Sequence, residues 1–133
     1  MNTGEFSSQQ LVKYFFTTDP LATRPSTWYV ALHTGDPSMD GSDNEAGYLA
    51  YARVAATFTA TQPGGADTPW RVTNDADVTF PAPDVGVTVN YVTVFDALSG
   101  GNCLAVLQLP LARTVASGGL FSIPAGELVI TGE

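Results

Sequence analysis

The chain has 133 residues, 44% of them hydrophobic, which suits one ordinary domain with its own core and excludes a disordered chain despite 13 Gly and 9 Pro. Thirteen acids stand against five Lys and Arg, giving a net charge of −8. Five scattered cations cannot grip a phosphate backbone or an anionic bilayer, so nucleic acid and membrane are excluded as partners.

Residues 1–10 are polar and read as a loose terminus. Leu11–Phe16 then reads as one or two turns of helix opened by Ser7 or Ser8, with Leu11, Tyr14 and Phe15 on one stripe. So short a helix cannot stand alone, and the segment must dock on something. Asp19-Pro20 and Arg24-Pro25 break it. From Trp28 the period changes to two: Trp28, Val30 and Leu32 alternate with Tyr29, Ala31 and His33, a strand. Thr34–Gly47 is a long loop rich in Gly, Asp, Ser and Asn. Tyr48–Ala60 reads as a second strand and Gln62–Pro69 as a further loop. Trp70–Thr73 and Val78–Pro81 read as strands about a turn at Asn74-Asp75. Val85–Phe95 has the strongest alternation in the chain, and Ser99-Gly100-Gly101-Asn102 supplies a turn after it. Cys103–Leu109 and Leu111–Val115 form a strand interrupted at Pro110, which predicts an edge or a bulge there. Leu120–Ile123 and Glu127–Thr131 read as a closing hairpin about Pro124-Ala125-Gly126.

About eight short strands with regular turn signals, and no helix of crossover length between them, predict an all-β fold. The expected architecture is a single-domain sandwich of antiparallel strands spanning 27–133, jelly-roll-like, with a short N-terminal helix or arm over 1–20. An immunoglobulin-like sandwich is the alternative. No apolar run reaches the roughly 20 residues of a membrane span. No basic segment followed by an apolar one opens the chain, so the expectation is a soluble protein made in the cytoplasm.

The chain is poor in reactive chemistry. His33 is the only histidine, so any Ser-His-Asp or Cys-His arrangement has to use it, and its place at a strand end suits a packed rim histidine as well. Cys103 is the only cysteine, which rules out an intrachain disulfide; in an apolar strand with no nearby Lys or His it reads as structural. Zinc held by His and Cys is excluded by count. The acidic loop brings Asp36, Asp40, Asp43 and Glu45 within ten residues, a set able in principle to hold calcium, although not at helix–loop–helix spacing. A solvated acidic loop is the commoner reading of such a cluster. Asp75 and Asp77 read as turn formers, and Trp28, Phe58, Phe80, Tyr91, Phe95 and Phe121 as core. No catalytic residue, cofactor or metal is assigned.

The order of several segments carries a resemblance. Pro25–Pro37, reading PSTWYVALHTGDP, is followed by an acidic Gly-rich loop, Gly47-Tyr48 and Tyr51–Val54. Asn74–Pro81, Val92–Asn102 with FDALSGGN, Leu109–Thr114 and Ile123–Leu128 come after them. Over nearly the whole chain after Leu11 this order resembles a family of small tailed-bacteriophage virion proteins, labelled tail-fibre-like or head-decoration proteins. ALHTGDP and FDALSGGN are its most specific pieces, and the start at Asn2–Phe6 is longer and more polar than the pattern.

The resemblance implies a non-enzymatic virion structural protein. The leading expectation is a cement protein on the head surface that bridges subunits of the major capsid protein, assembled as a homo-oligomer, by preference a trimer. Its contacts are expected from Phe6, Leu11, Tyr14 and Phe15 in the N-terminal segment, and from Asp36, Pro37 and Tyr48 around the first loop. The alternative is a tail-fibre or tail-tip module that meets the host surface through Tyr29, Tyr48 and Tyr51.

Overall fold

The structure is a computed structural model that describes residues 2–131. Among them lie ten strands and one α-helix: β1 (Asn2–Thr3), α1 (Glu5–Phe16), β2 (Trp28–His33), β3 (Val54–Ala56), β4 (Phe58–Thr61), β5 (Arg71–Asn74), β6 (Val78–Thr79), β7 (Val87–Phe95), β8 (Cys103–Val115), β9 (Ser122–Ile123) and β10 (Val129–Thr131). A short 3-10 turn occupies Gly65–Asp67. All pairings are antiparallel, in a five-stranded sheet β1-β8-β7-β2-β3, a three-stranded sheet β10-β5-β4 and the pair β6-β9. The all-β fold with a short N-terminal helix expected from the sequence is the fold observed.

The main core brings the sheets together. Val30 and Leu32 from β2, Val89, Val92 and Val94 from β7, and Ala105 and Val115 from β8 meet Val78, Phe80, Phe121, Ile123 and Leu128. Val89 and Val92 both point inward although their spacing is odd, because the β7–β8 pairing slips between them. Val89 lies opposite Arg113 and Tyr91 opposite Gln108, so four residues of β8, Pro110 among them, bulge against Asn90. The break predicted at Pro110 is this bulge, where a residue without an N–H costs no ladder bond.

The large sheet is covered on its other face too. Ala31, Phe95 and Cys103 form a second buried cluster there, packed against Val106. This two-sided burial is why Val30 to His33 are all buried, where a half-exposed strand would alternate.

Four local expectations are corrected. The N-terminus is not loose: β1 pairs with β8, and α1 starts at Glu5 with Gly4 as its cap, ahead of Ser7 and Ser8. The segment Tyr48–Ala60 is not one strand. Tyr48–Arg53 is irregular, and the chain turns a corner at Thr57, so that β3 pairs with β2 and β4 with β5. Leu120–Ile123 and Glu127–Thr131 do not pair with each other; β9 joins β6 and β10 joins β5. For the same reason β5 and β6 are not hairpin partners about Asn74-Asp75.

The Thr34–Gly47 loop is built rather than slack. Thr34 N–H donates to the Asn44 carbonyl at 2.9 Å, Asp43 N–H to Pro37 at 3.1 Å and Ala46 N–H to Leu32 at 2.8 Å. Gly41, at φ +70°, sits against the second cluster, and a Cβ there would lie 2.6 Å from Phe95 Cζ and 2.9 Å from Cys103 Sγ. Gly41→Ala is therefore expected to cost about 2–3 kcal/mol in urea unfolding, from strain at positive φ and overpacking. Gly47→Ala, whose Cβ meets nothing within 4 Å, is the near-neutral control.

Candidate functional site

Past the end of β3, the edge of β2 needs partners for its backbone, and the loop supplies them. Leu32 N–H donates to the Tyr51 hydroxyl at 3.2 Å, and His33 bridges to Glu45. The Tyr51 hydroxyl in turn donates to Glu45 Oε2 at 2.6 Å. Arg53 grips Glu45 with two parallel bonds, Nε to Oε2 at 2.8 Å and Nη2 to Oε1 at 2.9 Å. Its remaining nitrogen, Nη1, donates to the carbonyls of Ala97 at 2.9 Å and Gly100 at 2.8 Å. The guanidinium carbon lies 3.7 Å over the centre of the Phe95 ring. The Phe95–Asn102 turn is closed by Asp96, which accepts from the backbone and side-chain nitrogens of Asn102.

Buried His33 completes the network. A carbonyl can only accept, so Nδ1 carries the proton and donates to Asp43 O at 2.8 Å; Nε2 then accepts from the Thr93 hydroxyl at 2.8 Å. Burial holds the imidazole below its ordinary value and outweighs the Asp43 carbonyl and nearby Glu45, which act the other way. For Glu45, burial pushes upward, but the bonds from Arg53 and Tyr51 prevail and hold the carboxyl below the usual range. Burial pushes the Cys103 thiol up to about 11, so it is protonated at neutral pH and inert as a nucleophile.

The acids considered for calcium do not converge. Asp36 accepts from Ser38 N–H, Asp43 from the Ser38 hydroxyl, Asp40 from the N–H and hydroxyl of Ser42, and Glu45 belongs to Arg53. Among the described residues, no group of three His, Cys, Asp or Glu side chains is placed to hold a metal ion. Two of the expected contact residues are corrected. Pro37 is fully buried, and Tyr48 is 9% exposed with its hydroxyl donating to Pro81 O at 2.6 Å. Neither offers a surface. Tyr51 is likewise turned into the network, half-buried, while Asp36 stays exposed.

The N-terminal candidates lie elsewhere, on α1. This helix has no buried residue. Its base is fixed: Gly4 N–H donates to Leu104 O and Glu5 N–H to Met39 O, each at 2.9 Å, and Phe6 is half-buried. Its far half is bare, with Leu11 at 49% and Tyr14, Phe15 and Phe16 at 65%, 64% and 82% exposed. Tyr14 and Phe15 stack edge to face, 4.9 Å between centroids. Beside the helix base, Trp28, Phe58, Val72, Val94, Leu104 and Ile130 line an open apolar cleft of about 380 Å³ between the five- and three-stranded sheets. Sequence reasoning missed this cleft, because it is assembled from six strands.

The chain matches the family model described as Podophage GP4 fiber I protein gp80 over residues 3–131, nearly its whole length, and it belongs to that family. It is thus a phage virion structural protein, as the sequence resemblance implied. A search of curated proteins finds no match to it.

Glu45 and His33 are both held below their ordinary values, so each stabilises the fold at neutral pH and loses that contribution as pH falls. The loss from His33 sets in below its ordinary value of 6.5, and that from Glu45 below 4.5. Thermal melts are expected to show Tm falling over both windows, and Glu45→Gln to flatten the lower one. Arg53→Lys is expected to cost about 2 kcal/mol at pH 7, since an ammonium cannot grip Glu45 bidentately and reach both carbonyls. Denaturant midpoints at neutral pH measure it.

Proposed function

We propose that this chain is a non-enzymatic subunit of a phage tail fibre, and that helix α1 is the element through which it assembles. The observation that carries the reading is the bare far half of α1. An isolated helix of this length is marginal in water, and tertiary packing normally supplies what is missing. With none of its residues buried, α1 gets that packing from another molecule in the assembled particle. The description of the family as a fibre protein favours the tail over the head. The one histidine is hydrogen-bonded inside the body and the one cysteine is buried there, which accords with a structural role.

The cement reading, in which the chain bridges subunits of the major capsid protein, uses the same arm and differs in where it docks. Immunogold labelling of intact virions separates the two. Gold at the tail is the expected result, and gold spread over the head would transfer the chain to the capsid. A triple change, Leu11→Ser, Tyr14→Ser and Phe15→Ser, is expected to leave Tm within a few degrees, because exposed sites contribute little to the body. The same protein should fail to enter virions, as read by immunoblot of purified particles.

A further inference from the structure

One guanidinium of this chain lacks the partner that its burial calls for. Arg71 opens β5, the central strand of the three-stranded sheet, and lies between Thr61 of β4 and Thr131 of β10. Val72 and its neighbours Ala60 and Ile130 belong to the inner face, and Val72, Ala60 and Ile130 all line the apolar cleft. Strand alternation therefore turns Arg71, Thr61 and Thr131 to the outer face, and Thr73, two residues on, with them. There Arg71 Nε is buried with no hydrogen-bond partner among the described residues, whose one ion pair is Arg53 with Glu45. A buried N–H left unmatched bears the full cost of its lost water. We propose that Arg71, flanked by Thr61, Thr131 and Thr73, binds a carboxylate carried on a hydroxylated body, the chemistry of a sugar acid. The proposal makes no use of α1 and stands or falls apart from the reading of that helix.

The molecule itself shows what such a guanidinium edge takes. Arg53 presents Nε and Nη2 side by side and holds the two oxygens of Glu45 at 2.8 and 2.9 Å. Arg71 has the same edge with its Nε unmatched, and a planar carboxylate fits that edge with two parallel bonds. Charge decides between anions. One carboxylate neutralises one guanidinium, whereas a phosphate dianion would leave surplus negative charge on a chain of net charge −8. The threonines select the rest of the ligand. Cross-strand neighbours lie about 5 Å apart, so Thr61 and Thr131 set a hydroxyl on either side of the guanidinium. Thr61 is exposed and Thr73 and Thr131 are half-buried, so a ligand from solvent reaches all three. A threonine hydroxyl both donates and accepts, which matches the hydroxyls of a sugar ring. Asp75, bonded to the Thr59 hydroxyl further along the sheet, repels a ligand placed the other way round.

The test is an NMR titration of the isotope-labelled full chain at neutral pH and matched ionic strength. Glucuronate is the probe, with glucose, acetate and inorganic phosphate beside it. Glucuronate is expected to shift the Arg71 Nε–H and the Thr61 and Thr131 amide signals saturably, and glucose to leave them unmoved. Acetate and inorganic phosphate should bind about 10-fold more weakly than glucuronate, lacking the hydroxyl contacts or the matched charge. Arg71→Gln is expected to abolish the shifts, and Thr61→Val, at an exposed site, to weaken binding about 5-fold. Signals that glucuronate leaves unmoved overturn the proposal, as does glucose, acetate or phosphate binding as well as glucuronate. Unchanged binding by Arg71→Gln overturns it too. If Arg71→Gln does not fold, Thr61→Val with Thr131→Val takes its place, and an unaltered affinity there overturns the site. Glu133 lies outside the described residues, and Glu133→Gln tests it as a rival. Glucuronate binding that appears only in that variant assigns Arg71 to the chain's own carboxylate and overturns the proposal; equal binding with and without the change supports it.

Discussion

The guanidinium of Arg53 ties its own segment to two stretches of chain that are far apart in sequence. Glu45 closes the first loop, Ala97 and Gly100 belong to the turn after β7, and Phe95 is the last residue of β7 itself. A largely buried cation is costly unless its donors are used, and here four bonds and an aromatic face satisfy it. Removing it would strand a part-buried carboxylate and two carbonyls together. Through Tyr51 the same carboxylate reaches the backbone of Leu32, so the ion pair also caps the part of β2 that outruns β3. The loop is thereby pressed on the Ala31, Phe95 and Cys103 cluster, and both faces of the large sheet are sealed.

This arrangement gives the two most specific sequence segments a physical meaning. ALHTGDP contains His33 and the start of the loop that delivers Glu45; FDALSGGN contains the ring beneath Arg53 and both carbonyls it grips. Their residues serve to fix one ion pair and its surroundings. The polar groups that look chemically interesting in the sequence are therefore consumed in holding the body rigid. That includes Asp36, Asp40 and Asp43, whose oxygens are taken up by serine groups two to five residues away.

Period-two alternation made β2, β7 and β8 legible, and Pro110 located the bulge, because these signals are local. Pairing was not local. β9 and β10 lie next to each other in sequence with a good turn between them, but their partners β6 and β5 are set by packing across the core. The first turns of α1 escaped notice since they carry Ser7, Ser8, Gln9 and Gln10 and no apolar stripe; their start is fixed by backbone bonds to Leu104 and Met39. In the candidate site, Glu45 was visible as an acid but not as the partner of Arg53 in an irregular segment that alternation had presented as strand. Pro37 and Tyr48 looked like loop-surface residues because the loop's inward fold depends on that ion pair.

The division between body and arm follows from where free energy is available. Strands β2, β3, β7 and β8 of the large sheet share a core, so a defect in one is felt by the others. The far half of α1 shares nothing with that core and is free to take its stability from elsewhere. Fixing only the base keeps the arm aimed while leaving five apolar side chains, Leu11, Val12, Tyr14, Phe15 and Phe16, unburied. An aimed, pre-formed contact loses less conformational entropy on docking than a flexible tail. A body with a fixed base is what would let so small an arm serve the assembly role proposed for it.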